Sequence, residues 1–298
     1  MKNKEVRIEN SSVCQAHCTY CPREKLTRSR VAMSNKHFFD LVNQSKDLGA
    51  DTISIFGYGE PLTDSGITMK AAYAKDCNLQ TFITTNGAFL STGRSFSLLR
   101  AGLDHLRVSV HDIEKEGYEQ IHRGLNFEKV IKNIHDFRDV RDYTGAMCRL
   151  TITCIPPAER KVSDILEYWE GIADNLEIWK PHNFAYGRAY RKGIVKKKTC
   201  GRPFNGPVQI NADGQMMVCC FDFDGKMTIG DTATHSIEQL LKGDEIESIR
   251  EKHRTGNLSG LPCSQCDQLY DGQLPLIYST IDNETSKTFA NKTRLGEI

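Results

Sequence analysis

The apolar positions of the first 180 residues fall into two alternating rhythms. Residues 5–10 alternate polar and apolar side chains with the period of two of a half-buried strand. Residues 34–48 instead put Phe38, Leu41, Val42 and Leu48 at helical spacing, with Ser34 as an N-cap and Gly49 as a stop. Residues 51–57 are β-branched and strand-like, and a helix is expected over 64–75. A third strand over 79–84 ends at the Asn86-Gly87 turn signal. Residues 91–101 then read as helix and 105–110 as strand. Residues 127–142 carry Val130, Ile131, Ile134 and Phe137 on one helical face. A strand over 147–155 is stopped by Pro156-Pro157, a helix follows over 163–173, and 175–179 is a sixth strand.

Strands alternating with helices imply a parallel sheet joined by right-handed crossovers. Six such units make an open, partial (β/α)6 TIM-like barrel rather than a closed eight-fold one, with chemistry expected at the C-terminal strand ends. The pattern breaks over residues 186–202, which hold seven Lys or Arg and no acid. Beyond this linker, residues 208–211 and 215–220 flank Ala212-Asp213-Gly214 as a hairpin, and Asp224-Gly225 offers a second turn. A helix over 236–253, interrupted by Gly243, completes a small hairpin-plus-helix domain. The α/β chain is thus expected to divide into a barrel at 1–186, a linker and second domain at 187–270, and a polar tail at 271–298.

Charge and hydropathy narrow the class. The 298 residues carry 39 Lys and Arg against 38 Asp and Glu, which argues against general nucleic-acid binding. Mean hydropathy is −0.46. The sequence has no apolar run of the ~18 residues a membrane span needs, and its first residues lack a signal-peptide core. A cytoplasmic protein without a membrane partner is expected. The 11 cysteines change the picture most. An odd count in a reducing compartment does not suggest disulfides, and clustering at both ends of the chain reads as metal or iron–sulfur ligation.

Cys14, Cys18 and Cys21 are spaced x3 then x2 directly after the first strand. Three thiolates so close suit three irons of a cubane cluster, leaving a fourth iron open to a ligand. A zinc site, with His17 as a strained fourth ligand, and unrelated buried thiols are the alternatives. The motif, with Tyr20 before its last cysteine, resembles that of the radical SAM enzymes. The likeness continues in Gly57-Tyr58-Gly59-Glu60-Pro61 after the second strand and in Thr84-Thr85-Asn86-Gly87 after the third. It extends to Ser109 at the end of the fourth strand and to Asn183 after the sixth, and covers about residues 5–190. The resemblance implies a [4Fe-4S] cluster and S-adenosylmethionine (SAM), split reductively to a 5′-deoxyadenosyl radical. It implies SAM contacts from Tyr20, Gly57, Gly59, Glu60, Asn86, Ser109 and Asn183. Gly59 is expected to permit close backbone approach, and Glu60 to accept from the methionyl ammonium. A flavodoxin or ferredoxin-type electron donor is implied as partner.

Cys200, Cys219 or Cys220, Cys263 and Cys266 form a second set, ordered as lone cysteine, hairpin, cysteine pair, helix and Cys-x2-Cys. This resembles the SPASM/Twitch extension of radical SAM enzymes in its single-cluster form. The resemblance makes Cys219 the ligand, with Cys220 as competitor because adjacent strand residues face opposite sides. Four thiolates close a second [4Fe-4S] cluster, which suits an electron acceptor or relay; a four-cysteine structural zinc is the alternative.

Other residues carry weaker signals. Cys77, Cys148 and Cys154 read as structural thiols, and Trp169 and Trp179 as core. His105, His111, His122, His135, His235 and His253 form no metal-spaced pair. His111 and Asp112, just past the fourth strand, are placed to face the active site. Asn10, Asn283 and Asn291 begin sequons that a cytoplasmic chain does not use. The basic run Arg188 to Lys198 is either a solvated face or a dock for an acidic group. The expected function is oxidoreductase-like hydrogen abstraction from a small molecule such as a sugar, cyclitol or nucleotide. Peptide modification (epimerisation or cross-linking) and a non-catalytic zinc or iron–sulfur regulator are the alternatives. The first strand begins near residue 5, leaving no room ahead of it for a peptide-recognition domain, which favours the small substrate.

Overall fold

A computed structural model describes residues 3–184, 195–270 and 276–280. Six strands alternate with helices along the chain: β1 (Glu5–Ile8), α1 (Asn35–Asp47), β2 (Thr52–Ile55), α2 (Ile67–Asp76), β3 (Gln80–Thr85), α3 (Thr92–Arg100), β4 (His105–Ser109), α4 (Lys115–Ile121), α5 (Phe127–Thr144), β5 (Arg149–Cys154), α6 (Val162–Trp169) and β6 (Asn175–Trp179). After them come α7 (Arg202–Asn205), β7 (Val208–Ile210), β8 (Gln215–Met217), β9 (Thr228–Asp231), α8 (Ile237–Lys242), α9 (Asp244–Thr255) and β10 (Leu276–Ser279). The fold is α/β, and its parallel sheet is not closed into a ring.

Local chemistry explains most boundaries. Ser34 caps α1 by accepting from His37 N, and Ser91 caps α3 by accepting from Arg94 N, each worth ~1 kcal/mol. In α1, Phe38, Leu41 and Val42 are buried as their spacing predicts. Leu48 is instead the C-cap, and Gly49 takes the left-handed conformation that ends the helix. The expected helix over 236–253 is two helices, α8 and α9, meeting at Gly243; Ser236 and Gln239 form a capping box at the start of α8.

The described residues gather into two compact units, the boundary falling within β3. The first holds residues 3–14, 22–82, 182–184 and 195–270. Its strand order is β2-β1-β7-β8-β9, with β1 parallel to both β2 and β7, and β8 and β9 antiparallel. Val6, Ile8, Ile53 and Ile55 are fully buried there. The second unit holds 15–21, 83–181 and 276–280. Its strands β4, β5 and β6 are parallel, and β10 pairs antiparallel with β6.

Several elements depart from expectation. The hairpin's second strand stops at Met217, so Cys219 and Cys220 lie in an irregular turn and strand alternation does not separate them. The turn at Asp224-Gly225 leads into β9, which extends the hairpin to three strands. The expected tail contributes β10. The basic residues Arg188, Arg191 and Lys192 and the sequons at Asn283 and Asn291 lie outside the described residues, whereas Lys196, Lys197 and Lys198 are exposed. Asn10 is buried, its Nδ2 donating to Pro61 O and to Asp64 Oδ2, each at 3.0 Å.

The first unit also buries a charge. Lys70 is fully enclosed, its Nζ donating to Asp64 Oδ2 at 2.6 Å and to the carbonyl of Met33. Breaking such a pair leaves an uncompensated buried charge, whereas replacing both partners by apolar groups does not. Asp64→Ala is expected to cost about 3–5 kcal/mol of stability, and the double variant Asp64→Leu, Lys70→Met markedly less. Thermal melts of the three proteins measure this, and an unchanged midpoint in Asp64→Ala would refute it.

Candidate functional site

In the first unit the glycine loop after β2 is organised by a carboxylate that sequence patterning treats as a strand residue. Glu9 sits one position past β1 and is buried. Its Oε1 accepts from Tyr58 N at 2.7 Å, from Gly59 N at 3.3 Å and from Arg28 Nη2 at 2.9 Å. Its Oε2 accepts from Arg28 Nη1 at 2.6 Å and from Ala212 N in the hairpin turn at 3.1 Å. The glycines exist to let this happen. A Cβ on Gly57 would lie 2.4 Å from Glu9 Cγ, and one on Gly59 would lie 2.0 Å from Ser11 O. The missing Cβ at Gly59 makes room for the Ser11–Ser12 main chain. Glu60 is buried, its Oε1 accepting from Leu62 N at 3.0 Å while its own N–H donates to Val13 O at 2.8 Å.

The unit boundary runs through the first cysteine motif. Cys14 belongs to the first unit, where its carbonyl accepts from Arg23 Nη2. Cys18, Tyr20 and Cys21 belong to the second, whose chain from Gln15 to Cys21 lies on the α4–α5 connection. There His17 N donates to Arg123 O at 2.8 Å and Thr19 N to Ile121 O at 2.9 Å. Gln15 Nε2 donates to Asn86 Oδ1 at 3.2 Å, which ties the loop to the Asn86-Gly87 turn. Ser109 is half-buried at the end of β4, and the Tyr20 ring lies 6.1 Å from that of His111.

Sequence spacing missed His122. It is buried at the end of α4, its Nδ1 3.4 Å from Cys18 Sγ and its Nε2 accepting from His111 N at 3.1 Å. Burial, and secondarily His111, hold its pKa well below the ordinary value. Buried Asp112 accepts from Arg160 Nε at 2.9 Å and from Ile113 N at 2.7 Å, at the entry to α4. A Cβ on Gly117 would lie 1.8 Å from its Oδ2, so the short helix needs that glycine. His111 Nδ1 accepts from Ile155 N at 3.2 Å, and burial pushes its pKa to about 4.

The second cysteine set comes together within the first unit. Cys200, Cys219, Cys263 and Cys266 line one cavity with Met227, and no carboxylate borders it. Burial, with the Cys200 and Cys266 thiols nearby, pushes the Cys263 thiol up to about 12. Cys220 is not among the residues lining this cavity. It accepts from Arg202 Nη1 at 3.3 Å and Arg7 Nη1 at 3.9 Å, and borders a different cavity. The hydrogen bond from Cys219, then the two guanidiniums, draw its pKa down. Among the described residues no three Cys, His, Asp or Glu side chains are spaced for a single metal ion. Four thiols converging on one cavity are the donor set that an iron–sulfur cluster takes. Asn183 braces this region: its Nδ2 donates to Gln265 O at 2.9 Å and its Oδ1 accepts from Asp267 N at 3.3 Å. Cys148 and Cys154 are buried and Cys77 caps α2, as expected for structural thiols. Trp169 is buried, whereas Trp179 is half-exposed with Nε1 donating to Glu177 Oε2 at 3.0 Å.

Comparison with known proteins supplies independent findings. The family model described as Radical SAM superfamily matches residues 8–168, and the one described as Iron-sulfur cluster-binding domain matches 200–267. A probable GTP 3′,8-cyclase of Saccharolobus islandicus is 26% identical over 290 residues, covering 84% of this chain and 90% of that one. A probable GTP 3′,8-cyclase of Methanothermobacter thermautotrophicus is 33% identical, over 45% of this chain and 44% of its own length. Among solved structures, BtrN in complex with AdoMet and 2-DOIA superposes with a TM-score of 0.63 at 20% identity, covering 89% of this chain and 93% of that one. Streptococcus suis SuiB bound to precursor peptide SuiA gives 0.66 at 16% identity, covering 90% and 70%. At these identities the structural likeness speaks to the fold alone.

The geometry around Glu9 generates a prediction. Glu9→Gln keeps the shape of the side chain and removes the charge that holds Arg28 and two loop N–H groups. It is expected to weaken SAM binding about tenfold, or 1.4 kcal/mol, with iron content unchanged. Calorimetric titration of the folded variant checks this. Wild-type affinity would mean that the loop keeps its form without the carboxylate.

Proposed function

The chain belongs to the radical SAM superfamily, and we propose that within it this enzyme abstracts a hydrogen atom from a small molecule such as a sugar, cyclitol or nucleotide. The observation that carries the reading is the likeness over 84% of the chain to proteins named for a nucleotide reaction. The same proposal includes a cytoplasmic setting and a flavodoxin or ferredoxin-type reductant. Among the described residues no helix is long and apolar enough to cross a membrane.

We assign Cys14, Cys18 and Cys21 to the SAM-binding cluster and Cys200, Cys219, Cys263 and Cys266 to an auxiliary one. Tyr20, Gly57, Gly59, Glu60, Asn86, Ser109 and Asn183 stay the proposed SAM contacts. When bound, the first cluster and SAM together supply the 5′-deoxyadenosyl radical that takes the hydrogen atom. The protein's own contribution is to orient and to keep water out. Glu9 and Arg28 hold the glycine loop in one shape. Asn86 fixes Gln15 between the first two cysteines of the motif.

His122 places one proton. The His111 main-chain N–H points at Nε2, so Nε2 is the acceptor and carries no hydrogen. With Nε2 as acceptor, the ring proton lies on Nδ1, facing Cys18 Sγ. A hydrogen bond to a ligand sulfur stabilises the more negative, reduced state of a cluster.

Two measurements test these assignments. Anaerobically reconstituted protein is expected to hold about eight irons, falling to about four when Cys14, Cys18 and Cys21 are all Ala. That triple variant should cleave no SAM, and full cleavage would sink the assignment. Cys219→Ala should also lose about half the iron and Cys220→Ala almost none; the reverse pattern would exchange the two residues. Separately, His122→Phe should lower the reduction potential of the SAM-binding cluster at unchanged iron content, read by a redox titration followed by electron paramagnetic resonance. An unmoved potential would remove His122 from the proposal.

A further inference from the structure

A small-molecule substrate needs a surface of its own. In the first unit a cavity of about 180 Å³ opens at the C-terminal ends of β1, β2 and β7. Its walls include Phe56, Tyr58, Phe184, Phe221, Gln209 and Cys220. It is smaller than the ~300–1,000 Å³ of a pocket that takes a whole ligand, so it suits one part of a substrate.

Two observations mark this cavity as a binding surface. Gln209, in the middle of β7, is 6% exposed, and among the described residues its Nε2 has no hydrogen-bond partner. An amide donor left so costs about 1–3 kcal/mol. Its strand neighbours Val208 and Ile210 are buried apolar residues, so β7 carries one polar side chain where a third apolar one would pack at no such cost. The second observation is Phe184, whose φ of 50° is left-handed, a conformation that costs a bulky residue of order 1–3 kcal/mol. That backbone sets its ring edge-on to Tyr58 at 6.0 Å and to Phe221 at 6.1 Å. The result is an aromatic frame beside one unanswered amide donor.

We propose that this cavity binds a heteroaromatic ring of the substrate, of the nucleobase kind. Gln209 Nε2 donates to a ring carbonyl or ring nitrogen, and the flat faces lie against Phe184, Tyr58 and Phe221. Cys220 is part of the wall, not a metal ligand: Arg7 and Arg202 hold its sulfur, and the Tyr58 hydroxyl donates to its carbonyl. The inference rests on the small-molecule reading above and names the part of the substrate that this cavity selects.

The test uses the full chain, reconstituted anaerobically. Guanosine, cytidine and the base-free methyl β-riboside are titrated calorimetrically into wild type, Gln209→Leu and Phe184→Ala. At least one nucleoside should bind wild type and the riboside should not. Gln209→Leu should weaken nucleoside binding at least about tenfold, and Phe184→Ala should weaken it while iron content and SAM affinity hold in both. Equal nucleoside affinity in all three proteins, riboside binding as tight as nucleoside binding, no nucleoside binding at all, or loss of SAM affinity instead would each overturn the proposal. A parallel assay separates it from the reading beneath. SAM cleavage accelerated by a sugar or cyclitol and by no nucleoside overturns the cavity and leaves the small-molecule reading standing. Acceleration by peptides alone overturns both.

Discussion

A buried carboxylate must be answered on every lone pair, and Glu9 is answered from four directions at once. Arg28 supplies a two-pronged ion pair, Tyr58 and Gly59 supply the N–H groups of the glycine loop, and Ala212 supplies one from the β7–β8 turn. These contacts lock the exit of β1, the loop after β2 and the hairpin into a single arrangement within the first unit. Gly57 and Gly59 are glycines because the Glu9 side chain and the Ser11–Ser12 main chain occupy the space a Cβ needs. The proposed SAM loop therefore takes its shape from a charge rather than from its own preferences.

The second cysteine set is held by a different device. Past Met217 the strand ends, and the chain turns so that Cys219 and Cys220 border different cavities. Cys219 joins Cys200, Cys263 and Cys266 around one cavity, while Cys220 meets Arg7 and Arg202. Arg202 also lies over the Phe221 ring at 5.2 Å. One guanidinium thus holds the Cys220 sulfur and lies against the aromatic wall of the adjoining cavity. In the second unit His122 plays the corresponding part, reaching from the end of α4 to Cys18.

Much was written in local pattern. The alternation of six strands with helices, the caps at Ser34 and Ser91, the break at Gly243 and the cysteine spacings depend on neighbours within a few residues, so the sequence by itself determined them, along with the family. What escaped was set by pairing across long separations. α4 is short and glycine-containing, and stands on Asp112, which is paired with Arg160. β9 and β10 are four-residue antiparallel edge strands that exist because β8 and β6 offer open edges. Glu9, His122 and Gln209 look like ordinary strand or helix-end residues until the fold brings Arg28, Cys18 and the walls of a cavity to them. Tertiary structure alone decided which of Cys219 and Cys220 faces the thiol-lined cavity, because once the strand ends no period survives to tell one side of the chain from the other.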